Sequence, residues 1–185
     1  MKILILTDSM FIPSGQGRVG REIAHGLGKR GHQIGYIGLW HRQDIFPNAP
    51  YNIQFWPTNN NYHGQDVLDG VIKSFRPDML LTIGDFWNLA YIADPILCRT
   101  RRLFQWCSYI PVDGEPINGG LPPGIQKVIE DIDIPIAYTN YAKNVVLKCV
   151  NDQETRNRLQ VIYHGVDTNI YHRLDSEKRN LLRIK

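Results

Sequence analysis

Short apolar runs alternate along this chain with stretches whose apolar positions recur every three to four residues. That is the pattern of strands alternating with helices in a parallel α/β sheet. Ile3 to Leu6 is continuously apolar, as a strand buried on both faces requires. Val19, Ile23 and Leu27 then mark the inner face of a helix, with Arg18, Arg21, Glu22 and Lys29 on the other. Gly31 stands where the end of that helix needs positive φ. Gln33 to Leu39 reads as a second strand, Trp40 to Asn52 as a loop, Ile53 to Trp56 as a short strand and Asn59 to Asn61 as a turn-rich break.

The same alternation continues. Val67, Leu68, Val71, Ile72 and Phe75 form a helical stripe, and Pro77-Asp78 closes it before the strand Met79 to Ile83. Phe86 to Leu97 reads as helical up to Pro95, and Leu103 to Ile110 as a strand. Pro122 and Pro123 open a helix whose inner face is Ile125, Val128, Ile129 and Ile132. Ile134 to Tyr138 is a strand, and Val145, Val146, Cys149 and Val150 face inward from the next helix. Asp152 to Arg158 reads as polar and exposed, and Val161 to Tyr163 as the last strand. Asp175 or Ser176 then caps a helix carrying Leu181, Leu182 and Ile184. The fold class expected is α/β: a Rossmann-like open parallel sheet with helices on both faces.

Composition narrows this little further. A length of 185 residues and a hydrophobic fraction of 43% suit one sizeable core. A net charge of +3 gives no nucleic-acid footprint. Cys98, Cys107 and Cys149 cannot all pair and none stands in a C-x-x-C arrangement, so a reduced, cytoplasmic setting is the simplest reading. The N-terminal apolar run is too short for a signal segment, and no run approaches the roughly 20 apolar residues that span a bilayer.

Ser14-Gly15-Gln16-Gly17-Arg18-Val19-Gly20 contains the spacing G-x-G-x-x-G. A dinucleotide fingerprint needs its first Gly directly after the first strand, and an acidic residue at the end of the second. Here Asp8 to Pro13 intervenes, and the second strand ends in Leu39-Trp40-His41-Arg42, so NAD binding is disfavoured.

Val161-Ile162-Tyr163-His164-Gly165-Val166-Asp167, followed by Tyr171 and Leu174, resembles the hinge of the retaining glycosyltransferases with the two-domain GT-B fold, group 1 or family 4. The resemblance extends over Met1 to Gly31, Pro77 to Gly84 and Asp113 to Pro116. It implies that residues 1–170 are a Rossmann-like N-terminal domain on the acceptor side, and that 171–185 begin a linker helix towards a C-terminal, donor-binding domain. The expected activity is transfer of a sugar from a nucleotide-sugar to a hydroxyl of a glycan, lipid or protein, with retention. No metal and no cofactor are expected, and the C-terminal domain would act in cis or in trans. The chain alone would then be weakly active or inactive.

The resemblance also gives the glycine loop a role. Gly15, Gln16, Gly17 and Arg18 become candidates for the donor diphosphate, through close backbone approach and helix N–H groups. The plainer alternative is a strand-to-helix connection. In a parallel sheet, three further segments share that edge. Gly84-Asp85-Phe86-Trp87 offers Asp85, or simply a cap with packed aromatics. Tyr109 to Pro116 offers Asp113, the candidate for the acceptor hydroxyl or transferred sugar, and Glu115; a turn Asp before Gly114 is the alternative. Thr139 and Asn140 suit a helix cap better than a ligand. His164 and Gly165 would face the cleft, or stand in a solvent-exposed loop.

Asp131-Ile132-Asp133 spells D-x-D but joins a helix end to a strand, and reads as a solvated connector, not a metal site. Arg99 to Arg102 likewise reads as a solvated face; lipid-linked acceptors in related enzymes leave a peripheral membrane role open. The competing functional class is a non-catalytic nucleotide- or sugar-binding module derived from a glycosyltransferase half.

Overall fold

The computed structural model describes residues 1–41, 53–58, 63–122 and 124–183. The apolar runs form β1 (Lys2–Asp8), β2 (Gln33–Leu39), β3 (Gln54–Pro57), β4 (Met79–Ile83), β5 (Gln105–Ile110), β6 (Ile134–Ala137) and β7 (Gln160–Val161). All pair in parallel, in the order β3-β2-β1-β4-β5-β6-β7. Between and after them stand α1 (Gly15–Lys29), α2 (Gln65–Phe75), α3 (Ile125–Asp131), α4 (Asn140–Cys149), α5 (Gln153–Arg158) and α6 (Ser176–Arg183). The expected loop from residue 42 to 52, the break at 59–61, Pro123 and Ile184 lie outside the described residues.

Helices cover both faces because alternate side chains of each strand point opposite ways. Ile3, Ile5, Ile34 and Tyr36 pack with Ala24, Val19, Ile23 and Leu27 of α1. Leu4, Leu6, Ile37 and Leu80 pack with Leu68, Val71, Ile72 and Phe75 of α2, and Val128 and Ile132 extend that layer. Val146 and Ala142 of α4 continue it over Ala137 and Ile129. This is the Rossmann-like α/β sheet that the sequence pattern calls for.

The helix α1 lies unusually close to the sheet. Gly17, Gly20 and Ala24 are its buried positions. A Cβ on Gly17 would fall 2.5 Å from the backbone oxygen of Ser9, and one on Gly20 would fall 2.5 Å from both Thr7 and the Tyr36 hydroxyl. The first turn is fixed by Ser14, whose Oγ accepts the Gly17 N–H at 2.9 Å.

Four expectations change. Phe86 to Leu97 is not an α-helix: turns lead into a single 3-10 segment, Ala90–Ala93. Phe86, Leu89 and Ile92 are buried at a spacing of three, which a 3-10 path satisfies, and the Asp94 carboxylate accepts the Ile96 N–H at 2.8 Å in a local turn. Asp152 to Arg158 is not merely an exposed stretch; it forms α5, capped by Asp152 and burying Thr155. The last strand is only Gln160–Val161, and Ile162 and Tyr163 are exposed.

The fourth change joins two segments that both read as solvated. Arg101 is buried, and its Nε donates to Asp131 at 2.7 Å while its Nη2 reaches Asp133 at 3.2 Å and the Asp131 carbonyl. Asp133 also accepts the Trp106 N–H at 2.7 Å. The D-x-D carboxylates are thus spent on an arginine at the foot of β5.

Replacing Gly17 by Ala is expected to lower stability in urea unfolding by about 1–3 kcal/mol, since backbone must move to admit the methyl. Gly15→Ala, with open space around its Cβ position, should change it by less than about 1 kcal/mol. Equal stability of the two variants would contradict the close approach of α1 to Ser9.

Candidate functional site

Every strand ends on the same edge, so the segments after β1, β2, β4, β5, β6 and β7 share one rim. The connection leaving β1 carries α1 on one face, whereas α2, which leads into β4, lies on the other. Between the ends of β1 and β4 the chain therefore parts in opposite directions. Open α/β sheets bind ligands at this switch point.

A cavity of about 360 Å³ occupies it. Asp8 and Ile83 supply the strand ends, Gly15 and Gln16 the start of α1, and Leu39 and Trp40 the end of β2. Gly84, Asp85, Asn88, Leu89 and His63 complete the lining. Gln16 lies across Gly84, its Oε1 3.0 Å from where a Cβ would stand, and Gly84 holds φ at 147°. A side chain at residue 84 would both strain the backbone and push Gln16 aside.

Two more residues at the mouth hold uncommon backbone conformations. Trp40 has φ 59° and His63 φ 47°, and their rings meet edge-on at 5.7 Å. For a bulky residue such a φ costs about 1–3 kcal/mol and persists only where its surroundings impose it. Trp40 is nonetheless 45% exposed, so burial of its ring does not repay that strain in full.

Two carboxylates stand among the described residues of the lining. Asp8 and Asp85 line the cavity, and among the described residues no Lys or Arg does. Burial raises the Asp85 carboxyl above its ordinary value, and the charges of Asp113 and Asp8 push it further, with His63 opposing. Asp113 thus acts on Asp85 although it is itself exposed beyond β5. A phosphate about 4 Å from one carboxylate would meet roughly 4 kcal/mol of repulsion at an effective dielectric near 20. The dipole of α1 returns only about 0.3–1 kcal/mol.

The remaining sequence candidates fall elsewhere on the rim. Gly17 is buried and gives its N–H to Ser14. Arg18 is exposed and donates from both Nη atoms to the Tyr171 hydroxyl at 3.4 Å. Glu115 pairs with Lys148 at 2.7 Å and accepts the Gly120 N–H, and this Lys148 hydrogen bond holds its carboxyl below the usual range. Thr139 caps α4 by accepting the Ala142 N–H at 3.0 Å, and Asn140 is exposed. His164 is exposed but packs against Tyr109 and Tyr138 at 5.3 and 4.3 Å between centroids, with Gly165 open beside it. Among the described residues no group of three or more His, Cys, Asp or Glu is placed to hold a metal ion. None of the helices in those residues is long and apolar enough to cross a membrane.

Sequence reading reached Gly15, Gln16 and Asp85 of the lining but not Asp8, Trp40, His63 or Asn88. Trp40 directly follows an apolar run and Asp8 follows one with only Thr7 between, a signal that would have found both.

Because the folded state holds the Asp85 proton more tightly than the unfolded chain does, its ionisation destabilises the fold. That penalty is full above the raised pKa and disappears as pH falls towards 3.8, the ordinary value. Asp85→Asn is therefore expected to raise the urea midpoint at pH 7, with the gain over wild type shrinking by pH 4. A lowered midpoint at pH 7 would contradict burial and repulsion as the cause.

No protein-family model matches the chain, and no curated protein matches it. Solved structures do share its architecture. UDP-GlcNAc 2-epimerase from Methanocaldococcus jannaschii is 16% identical, matches over 88% of this chain and 45% of its own, and has a TM-score of 0.57. UDP-GlcNAc 2-epimerase from Neisseria meningitidis, bound to UDP-GlcNAc, is 14% identical over 87% of this chain and 46% of its own, with a TM-score of 0.49. The Bordetella bronchiseptica enzyme WbmH, in complex with NAD+, is 13% identical over 74% of this chain and 54% of its own, with a TM-score of 0.47. The chain spans about half the length of the proteins it resembles, and the likeness to the first of them is one of fold.

Proposed function

We propose that this chain is the acceptor-side half of a sugar-nucleotide-dependent enzyme, in finer terms a retaining glycosyltransferase of GT-B type. The observation that carries the reading is the crevice between β1 and β4, on the sheet edge shared with Gly15, Asp85, Asp113 and His164. Residues 1–170 form one wall of a cleft, and the segment from 171 onward leads to the second domain. That the fold is shared with an enzyme named for UDP-GlcNAc is compatible with such a ligand.

In this reading the second domain holds most of the nucleotide and supplies the cations that meet the leaving diphosphate. The first wall orients the acceptor. A carboxylate such as Asp113 or Asp85 accepts a hydrogen bond from the acceptor or sugar hydroxyl and fixes its approach. Closing the two walls aligns donor and acceptor and excludes water.

The second reading is a non-catalytic binding module. Asp8 and Asp85 in the crevice lining favour it, since carboxylates there oppose a diphosphate on the lone half.

The 185-residue chain alone is expected to bind UDP, GDP and ADP weakly and to turn over little or nothing. Adding a C-terminal α/β domain, in cis or in trans, should restore transfer, followed by release of nucleoside diphosphate. Robust transfer by the chain alone, or calorimetric selectivity for NAD, would overturn the proposal. Silence towards every nucleotide with both domains present would select the binding module.

A further inference from the structure

We infer that residues 162–171 are a strap with two positions: lowered, it keeps the Tyr138 hydroxyl covered; lifted, it frees that hydroxyl at the strand-end rim, towards Asp85 and Asp113. The device is independent of which ligand the rim takes.

Tyr138 directly follows β6, and its ring packs with the core layer that α1 covers. Its hydroxyl oxygen is buried and has no hydrogen-bond partner among the described residues. A buried hydroxyl left unpaired costs free energy, and any movement that gives it water or a partner recovers that cost. Burial raises the hydroxyl above its ordinary pKa, and Tyr109, Asp85 and Asp113 add to the shift. The two carboxylates therefore lie within electrostatic reach of it.

Two rings lie against Tyr138. Tyr109, 4.0 Å away between centroids, belongs to β5 and is fixed by the sheet. His164, 4.3 Å away and edge-on, belongs to the strap. The strap is lightly held, and no residue from 162 to 171 is buried. At its start the Ile162 N–H donates to the Ala137 carbonyl at 3.1 Å, and the Tyr109 hydroxyl donates to the Ile162 carbonyl at 2.7 Å. At its far end Arg18 donates to the Tyr171 hydroxyl at 3.4 Å. In between, the Asp167 carbonyl accepts the N–H groups of Ile170 and Tyr171, and its carboxylate accepts that of Asn169, so this part moves as one turn.

Lifting the strap exchanges exposed bonds for bonds to water at small net change, whereas the Tyr138 hydroxyl gains a bond it lacked. That balance keeps both positions accessible. The strap leads on to α6, none of whose described residues is buried, so a pull on α6 reaches Tyr138.

Hydrogen exchange and tyrosine acetylation on the full chain test the strap. The Ile162 amide reports lifting, and the Leu81 amide, central in β4, reports global unfolding. Tyr138→Phe is expected to raise Ile162 protection about tenfold, as for a buried hydroxyl no longer left unpaired. A gain at Leu81 without one at Ile162 would mean that the hydroxyl stays buried whatever the strap does, and would overturn the inference; so would no gain at either amide. Tyr171→Ala should lower Ile162 protection about two- to fivefold, as for losing an exposed cation–aromatic contact. By the same factor it should speed acetylation of Tyr138 by N-acetylimidazole, read by peptide mass spectrometry, while Tyr141 on α4 reacts equally in both proteins. A Tyr138 rate that Tyr171→Ala leaves unchanged, or one matching Tyr141 in the wild type, would also overturn it.

Discussion

A crossover between parallel strands has to be right-handed, so the direction in which the chain moves along the sheet decides which face its helix covers. From β1 the chain steps to β2 and lays α1 on one face; after β3 it jumps back past β1 to β4 and lays α2 on the other. Nothing can then bridge the ends of β1 and β4 directly, and the gap is the crevice. How deep it is depends on how close α1 comes to the sheet. Gly17 and Gly20 allow backbone and side-chain contacts that any larger residue would block. Handedness makes the gap, and two missing side chains bring Gly15 and Gln16 to its edge.

Among the described residues, the acidity of the crevice lining is a matter of placement, not composition. The chain has 21 Lys and Arg against 18 Asp and Glu. Several of its cations are tied down structurally. Arg101 satisfies its donors on Asp131, Asp133 and the Phe104 carbonyl beneath β5. Lys148 fixes Glu115 and so shapes the loop after β5, and Arg156 reaches the Leu147 and Val150 carbonyls at the end of α4. A buried arginine with partners for its forked donors is costly to leave half-paired, which keeps both D-x-D carboxylates engaged. Asp8, Asp85 and Asp113, at the other ends of the strands, have no such partner among the described residues. Burial first, and then the charges of Asp113 and Asp8, raise the Asp85 carboxyl above its ordinary value.

How much of this could be read from sequence depended on the range of the forces involved. β2 and β4 coincide with their apolar runs because burial on both faces leaves a continuous signal. α1 and α2 follow their stripes, and Ser14 and Thr139 cap helices through short-range bonds. The 86–97 segment departs from the helix its pattern predicts because buried residues three apart fit a 3-10 path as well as an α-helix, and only the packing of Phe86 and Ile92 into the layer they share with α2 and α3 decides between them. The pairing of Arg101 with Asp131 and Asp133 spans about thirty positions and leaves no local trace. The site divides in the same way. Gly15 and Gln16 follow from a loop that enters a helix, whereas Trp40 and His63 join it only because β2 lies beside β1.

The tail beyond β7 stands in a different energetic class from the crevice. Tyr109 donates to the Ile162 carbonyl at 2.7 Å, His164 leans on Tyr109 and Tyr138, and Tyr171 meets Arg18. These contacts lead the chain from the far edge of the sheet back to the first turn of α1. Most of them are solvent-exposed, and an exposed cation–aromatic contact is worth only about 0.5–1 kcal/mol. The crevice lining, by contrast, is anchored in β1, β2 and β4, whose central side chains are fully buried. Local opening follows the weakest-held segment, so the tail can shift while the crevice keeps its shape. Since Arg18 adjoins Gln16, such a shift would change the charge beside the crevice without rebuilding its walls.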